Sequence, residues 1–173
     1  NKEMAVWTID DPIVVNGVKT AKLRGYMHEL DDFDLSECVV RRGPDNENPE
    51  RLELELRHAS AAEFIAIIDN FALAVLTTNA QRIFNEPLSP VQVQVRYKPA
   101  LVSLGGDLPL LMARLSVAAP CEQLDLPDGR PQSWEGLVVN PQFDIKSLWF
   151  TDDACGLNVE VLNLTYDFRM YAW

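Results

Sequence analysis

The stretch GLNVEVLNLTY, residues 156–166, changes the face on which its apolar side chains lie. The first half alternates, and its apolar positions are Leu157, Val159 and Val161. The second half is shifted by one residue, so that its apolar positions are Leu162, Leu164 and Tyr166. A strand switches its buried side in this way when it carries a bulge or bends around a barrel corner. The pattern therefore predicts a β barrel.

Alternation and turn residues predict further strands. Residues 51–57, RLELELR, place leucines on one face and charged side chains on the other. Asn16-Gly17, between apolar residues, predicts a hairpin with a type I′ turn. Further strands are expected at 38–42, 110–120 and 137–150, and loops at 28–37, 43–50 and 121–136. Segment 89–99 stays open, because its alternating valines fit a strand whereas Ser89-Pro90 fits a helix start.

One long helix is predicted at about residues 60–84. Ser60 and Glu63 have the spacing of a capping box at its start. The apolar residues that follow repeat at helical spacing and predict one buried stripe: Phe64, Ile67, Ile68, Phe71, Val75 and Leu76. The order of several strands, one helix and several strands predicts a mainly β protein with one long α-helix.

Composition limits the class of protein. The 173 residues fit a single domain, 1–173, and 47% hydrophobic residues are ordinary for a globular chain. No apolar run approaches eighteen residues, so a soluble protein without a membrane partner is expected. Fifteen basic against twenty-six acidic residues give a net charge of -11. Taken alone, this charge argues against nucleic-acid binding and favours a protein partner.

Motifs for catalysis or metal binding are absent from the sequence. It contains no phosphate-binding glycine loop and no G-x-S-x-G, and its two histidines are thirty residues apart. Asp32 and Asp34 form a D-x-D that is interpreted as a solvated loop, because a calcium loop needs a Gly and a distal Glu. Three distant cysteines predict free thiols in an intracellular protein. A protein that is not an enzyme, with no metal and no cofactor, is therefore expected.

Several landmarks together resemble a known family. They are the alternating strand and long helix of 51–84, Tyr97-Lys98-Pro99, the strand 108–117 and the closing FDIKSLWFTDDACGLNVEVLNLTY of 143–166. This arrangement, over about three quarters of the chain, resembles OB-fold single-stranded DNA-binding proteins of large DNA viruses and bacteriophages. The resemblance implies an OB-fold-like antiparallel β barrel that binds single-stranded DNA without sequence preference in replication or recombination.

Two features depart from that family. Arg114 is the only basic residue in a strand where the family tends to carry lysines. The chain ends YDFRMYAW, whereas the family often ends in an acidic tail. The departures leave two interpretations open: a missing C-terminal tail, or a diverged relative with altered binding.

A single-strand interface needs basic residues for phosphates and aromatic rings on which bases stack. The basic candidates lie in or beside predicted strands: Arg41, Arg42, Arg96, Lys98, Arg114 and Lys146. The aromatic candidates are Tyr26, Tyr97 and Trp149. Trp149, flanked by Leu148 and Phe150, also fits a core position, and so does Tyr97. The acidic residues are concentrated in loops, which leaves room for one positive face.

The charge supports a rival interpretation. An acidic domain of this kind fits an accessory replication factor, a virion component or a DNA mimic that binds protein and no nucleic acid. Under either hypothesis, acidic loops are candidate contacts for replication proteins. The sequence defines neither the oligomeric state nor a preference for DNA over RNA.

Overall fold

The computed structural model describes residues 7–25, 37–103, 105, 107–123 and 129–172. The protein is mainly β, with 45% strand, one closed five-stranded barrel and one long helix. The first strands are β1 Thr8–Ile9, β2 Ile13–Val15, β3 Val18–Arg24, β4 Cys38–Arg42 and β5 Arg51–Glu55. The helices are α1 Ala59–Thr78, α2 Ala80–Phe84 and α3 Pro90–Arg96. The remaining strands are β6 Tyr97–Lys98, β7 Leu101–Val102, β8 Leu110–Leu115, β9 Cys121–Gln123, β10 Leu137–Phe150 and β11 Cys155–Tyr171.

The chain divides into two compact units, each assembled from three separate segments. We call the first the lysine unit, because it holds all four lysines that the structure describes; its segments are 1–32, 65–100 and 146–158. We call the second the barrel unit; its segments are 33–64, 101–145 and 159–173. The sequence predicts one domain over 1–173, whereas both units here combine residues from distant parts of the chain.

Five strands close the barrel. Strand β4 pairs antiparallel with β5, and β5 pairs antiparallel with β8. Strand β8 pairs parallel with β11, and β10 pairs with both β11 and β4, which closes the ring. The order of strands around the barrel is β4, β5, β8, β11 and β10. If the five strands are numbered along the chain, this order is 1-2-3-5-4, which is the Greek-key order of an OB-type barrel. The predicted fold class is confirmed.

Alternating leucines fill the barrel interior as the sequence predicts. Leu52 and Leu54 are 0% exposed and Leu56 is 2% exposed. Because successive side chains of a strand point to opposite faces, the intervening Arg51 and Glu53 remain partly exposed.

The phase slip in β11 coincides with a change of partner strand. Residues 160–161 pair with β8, and residues 164–166 pair with β9. Leu164 and Tyr166 are buried, but Leu162, expected in the same apolar set, is 48% exposed. The buried side therefore changes where β11 leaves one neighbour and reaches the next.

The long helix differs from its prediction in both bounds and face. It begins at Ala59, so Ser60 lies inside the first turn and the predicted capping box is wrong. It ends at Thr78, and the next helix begins at Ala80. The buried apolar positions are Ala61, Ile65, Ile68, Ala72, Val75 and Leu76. Ile67, expected in the core, is 49% exposed.

Helix α1 is also long and apolar enough to cross a membrane, judged by length and composition alone. Its most apolar window has a mean hydropathy of 1.7, and 39% of that window is buried within the protein. A core helix of a soluble protein meets the same criterion.

The two remaining local predictions concern the hairpin and segment 89–99. Asn16 has φ 52° and Gly17 has φ 79°, so both residues adopt the positive φ of a type I′ turn between β2 and β3. Segment 89–99 resolves into helix α3 followed by β6. The Ser89 side chain accepts from the Gln92 backbone N–H, and the Gln92 side chain accepts from Ser89, which forms a capping box.

Candidate nucleic-acid interface

The barrel unit neutralises two of the arginines that the sequence assigns to a phosphate groove. Arg41 lies 3.0 Å from the carboxylate of Glu55, a residue that is only 7% exposed. Arg114 forms an ion pair with Glu50. Arg42 is exposed, beside an irregularity in the pairing of β4 with β5. Because their charges are compensated within the barrel, Arg41 and Arg114 attract phosphate less than unpaired residues would.

Tyr97, expected as a stacking platform, belongs to the core of the lysine unit. Its side chain is 6% exposed, and its hydroxyl donates a 2.6 Å hydrogen bond to the buried carboxylate of Asp69. Burial, followed by the nearby Asp69 charge and this hydrogen bond, raises the pKa of Tyr97. A buried ring presents no face to a base, so the assignment of Tyr97 to stacking is corrected to a structural role.

Arg96 is held by contacts inside the same unit. Its guanidinium lies 5.5 Å from the centre of the Phe84 ring and 3.7 Å from the carboxylate of Glu86. Its side chain is 26% exposed. A stacked and ion-paired guanidinium links the end of α3 to α2 and the loop that follows.

The structure brings Trp149 and Lys98 together at Gly156. A Cβ atom on Gly156 would lie 2.9 Å from ring carbon Cζ2 of Trp149 and 2.8 Å from the backbone oxygen of Lys98. Only a glycine lets the ring pack this closely on β11. Lys98 is the direct partner of Gly156 in the parallel pairing of β6 with β11.

The neighbouring strand β3 adds a second lysine to this surface. Trp149 pairs with Thr20, and Ser147 pairs with Lys22, in the antiparallel pairing of β10 with β3. Directly opposite residues lie on the same face of a sheet, and so do residues two positions apart. The Ser147 hydroxyl accepts a 2.9 Å hydrogen bond from Asn158, which ties β10 to β11. We call this surface the Trp149 face: Thr20, Lys22, Lys98, Ser147, Trp149 and Gly156.

Charge differs sharply between the two units. Among its described residues the lysine unit has seven basic and six acidic side chains, whereas the barrel unit has seven basic and thirteen acidic ones. Trp149 is half-buried, and Lys22 and Lys98 are exposed. Neither lysine forms an ion pair with any described residue. Among the described residues, the acidic excess therefore belongs to the barrel unit and not to the unit that carries the Trp149 face.

Two other lysines belong to the same unit. Lys19 lies 5.8 Å from the centre of the Phe150 ring, a cation–π contact. Lys146, a predicted phosphate contact, is exposed.

The Trp149 face includes four residues that were not predicted as site residues from the sequence: Thr20, Lys22, Ser147 and Gly156. The Asn16-Gly17 turn places β3 beside β2, but nothing in the sequence states that β3 pairs with the end of β10. Tyr26 and the Asp32/Asp34 pair lie outside the described residues. Within the described ranges, no group of three or more potential ligands lies close enough to hold a metal ion.

Comparisons with known proteins add no relative: no protein-family model matches the chain, and no curated protein or solved structure matches it significantly.

Proposed function

We propose that the protein binds single-stranded DNA without sequence preference, and that the Trp149 face forms the contact. The observation that carries the proposal is the half-buried Trp149 ring on Gly156, on a sheet face that also presents Lys22 and Lys98. An aromatic ring flanked by two lysines that form no ion pair with a described residue fits the combination that sequence-independent single-strand binding needs.

The spacing of the face suits an extended strand of nucleotides. The strands that carry Lys22, Trp149, Gly156 and Lys98 are successive neighbours: β3, β10, β11 and β6. Three strand spacings of about 4.8 Å separate the strands of the two lysines by about 14 Å across the sheet, and Lys22 lies two residues further along β3 than Thr20, the partner of Trp149. Lysine side chains reach several ångströms further, so both ammonium groups can contact phosphates on either side of a base stacked on Trp149.

The resemblance to OB-fold single-strand binders supports the same function from a different direction. The closed barrel has the strand order of that fold. The ion pairs of Arg41 and Arg114 shift the proposed contact from the barrel to the lysine unit. A role in viral or phage DNA replication or recombination, inside a cell, is part of this proposal.

An oligonucleotide titration tests the proposal. Fluorescence anisotropy of a labelled oligothymidylate, at about 50 mM salt where electrostatic contacts are strong, is expected to rise with wild-type protein. Trp149→Leu keeps an apolar side chain and removes the ring, so it is expected to weaken binding by about 1–3 kcal/mol. Leu162→Ala, at an exposed position of β11 in the barrel unit, is the control and is expected to bind like wild type. Equal affinities of Trp149→Leu and wild type would remove the Trp149 face from the proposal.

The acidity of the barrel unit favours a second candidate, an acidic module that binds a protein partner such as a replication factor. Its described residues include thirteen acidic side chains, and its ion pairs include Arg41, Arg51 and Arg114. The same titration separates the two candidates. Wild-type protein that gives no anisotropy change at low salt supports the protein-binding function and contradicts DNA binding.

A further inference from the structure

A cavity in the barrel unit lies outside the Trp149 face. Two tyrosine hydroxyls of β11 hold the segment 129–133 beside it: Tyr166 donates to the backbone oxygen of Gly129 at 2.7 Å, and Tyr171 donates to that of Ser133 at 2.9 Å. The cavity has a volume of about 370 Å³. This is within the range of about 300–1,000 Å³ found for small-molecule sites.

Three aromatic rings line the cavity. Phe168 is 46% exposed and Tyr171 is 41% exposed, and both line the cavity with Tyr166. The Arg169 guanidinium lies 5.6 Å from the centre of the Phe168 ring, so a stacked ligand would use the opposite face of that ring. Large rings this exposed at a strand end cost hydration free energy, which a stacked ligand removes. The Tyr171 hydroxyl donates a hydrogen bond to the backbone oxygen of Ser133, so the Tyr171 ring is held in place before a ligand binds.

The described polar residues that line the cavity are positive or neutral. Arg130 uses one of its five N–H donors on the backbone oxygen of Ser116, which leaves other donors for a ligand. Gln132 is exposed and offers both an amide donor and an amide acceptor. Among the described residues that line the cavity, none is acidic, although the barrel unit has a large acidic excess. This composition suits an anion.

Two other cavities of the barrel unit lack these features. They measure about 380 and 460 Å³ and border Glu50 and Arg114, which are ion-paired with each other. Neither is lined by an aromatic ring. The cavity beside Tyr171 therefore combines aromatic rings, the Gln132 amide and a guanidinium, that of Arg130, with N–H donors left for a ligand.

We propose that this cavity binds a nucleotide unit, that is, a planar base carrying a phosphate. The base stacks on Phe168 and Tyr171, the Gln132 amide contacts the polar edge of the base, and Arg130 contacts the phosphate. The inference goes beyond the function proposed above, because the cavity belongs to the barrel unit and requires no residue of the Trp149 face. The nucleotide unit has two sources, a free mononucleotide or one residue of a single strand.

The experiment titrates ¹⁵N-labelled full-length protein with the four deoxynucleoside 5′-monophosphates and, separately, with an oligothymidylate. Amide resonances of Arg130, Gln132 and Tyr171 are expected to shift. Phe168→Leu keeps an apolar side chain and is expected to weaken binding at these resonances at least about fivefold, the lower end of the effect of losing one stacked ring. Arg130→Gln, which removes the charge, is the second variant, and Leu162→Ala is the control.

Shifts with mononucleotides that depend on Phe168 and Arg130 support the proposal with a free nucleotide as ligand. Shifts with the oligonucleotide alone, with the same dependence, support it with a residue of a strand as ligand. The proposal is overturned if no shift occurs with either ligand, or if Phe168→Leu and Arg130→Gln bind like the control. Trp149→Leu separates the two sites, because this variant is expected to keep the cavity shifts even where anisotropy shows weakened strand binding.

Discussion

The Tyr97 hydroxyl and the backbone N–H of Ala100 donate to the same carboxylate oxygen of Asp69, at 2.6 and 3.0 Å. Asp69 is 6% exposed and lies in α1, whereas Tyr97 and Ala100 flank the end of β6. The carboxylate therefore holds the Tyr97 side chain before Lys98 and the Ala100 backbone after it. Tyr97 contributes to the Trp149 face by positioning its neighbour.

Tyr97→Phe is expected to destabilise the protein by about 1–3 kcal/mol, because it leaves the buried Asp69 carboxylate with one partner fewer. Urea unfolding measures this difference. Tyr171→Phe is the matched control, since it removes a hydroxyl bonded to an exposed backbone oxygen and is expected to cost less than about 1 kcal/mol. Equal losses for the two variants would contradict the structural role of Tyr97.

Alkaline pH is expected to lower stability through buried thiols and phenols whose pKa is raised, among them Cys155 and Tyr97. Burial raises the pKa of Cys155 from 9.0 to about 11, and burial with the Asp69 charge raises the pKa of Tyr97. Each group ionises first in the unfolded chain, so its contribution to stability is complete below its unfolded pKa and is lost above it. Between pH 9 and 11, Cys155 is expected to lower the free energy of unfolding by about 1.4 kcal/mol per pH unit. Urea unfolding from pH 8 to 11 measures this slope, and Cys155→Ala is expected to flatten it.

Strand alternation and turn chemistry are local, which is why they predict much of the barrel. The structure confirms the Asn16-Gly17 turn and a strand at Arg51–Glu55, which is two residues shorter than the predicted 51–57. The phase slip in the sequence of β11 also corresponds to a change of the buried side in the structure, and this change occurs where β11 passes from one partner strand to the next. In segment 89–99, the alternating valines do not predict the structure. Val91 and Val95 are both 69% exposed, and the segment forms a helix that begins with the Ser89 capping box.

The candidate site was less predictable, because it depends on register and on ion pairing. Trp149 and Lys98 meet only because β10, β11 and β6 are neighbours with a specific register. Arg114 looks like a free cation in the sequence, but Glu50 compensates it from sixty-four residues away. Alternation could not place Tyr97, because both of its neighbours are basic and the helix α3 ends at Arg96.

Gly156→Ala is expected to disturb the Trp149 face directly. The added Cβ would meet the Trp149 ring at 2.9 Å and the Lys98 backbone oxygen at 2.8 Å, and backbone cannot move aside cheaply. A loss of about 1–3 kcal/mol in urea unfolding is expected from this overpacking. Gly105→Ala is the control, because no atom lies within 4 Å of its added Cβ, and it is expected to change stability by less than about 0.5 kcal/mol. A stable Gly156→Ala variant with wild-type binding would refute the packing of Trp149 on this glycine.

The three cysteines are expected to react with a thiol reagent only after unfolding. Cys38, Cys121 and Cys155 are buried thiols that form no disulfide, and burial raises the pKa of both Cys121 and Cys155. A buried, protonated thiol is a poor nucleophile. Alkylation without reductant, followed by mass measurement, is expected to show three labels in denaturant and slow labelling in native buffer. A disulfide-linked species in freshly purified protein would contradict the proposed intracellular location.

The final prediction compares two basic residues that the sequence assigns to the same groove. Lys98 is exposed, and no described carboxylate pairs with it, whereas Arg114 is paired with Glu50. Each phosphate contact to a single strand contributes a slope of about -0.7 to the plot of log affinity against log salt. Lys98→Ala is therefore expected to flatten the slope by about 0.7 and to weaken all oligonucleotide sequences alike. Arg114→Ala is expected to leave the slope nearly unchanged, because a paired guanidinium displaces few counterions from the strand.

Anisotropy titrations of both variants at several salt concentrations measure the two slopes. Arg57→Ala, which removes an exposed barrel-unit arginine that has no ion pair within the described part of the chain, controls for the change in net charge. Its slope is expected to match that of wild type. If Arg114→Ala flattens the slope as much as Lys98→Ala does, the barrel takes part in phosphate binding and the Glu50 ion pair opens to admit the strand. If all three variants share the wild-type slope, Lys98 contacts no phosphate and the Trp149 face loses its electrostatic support.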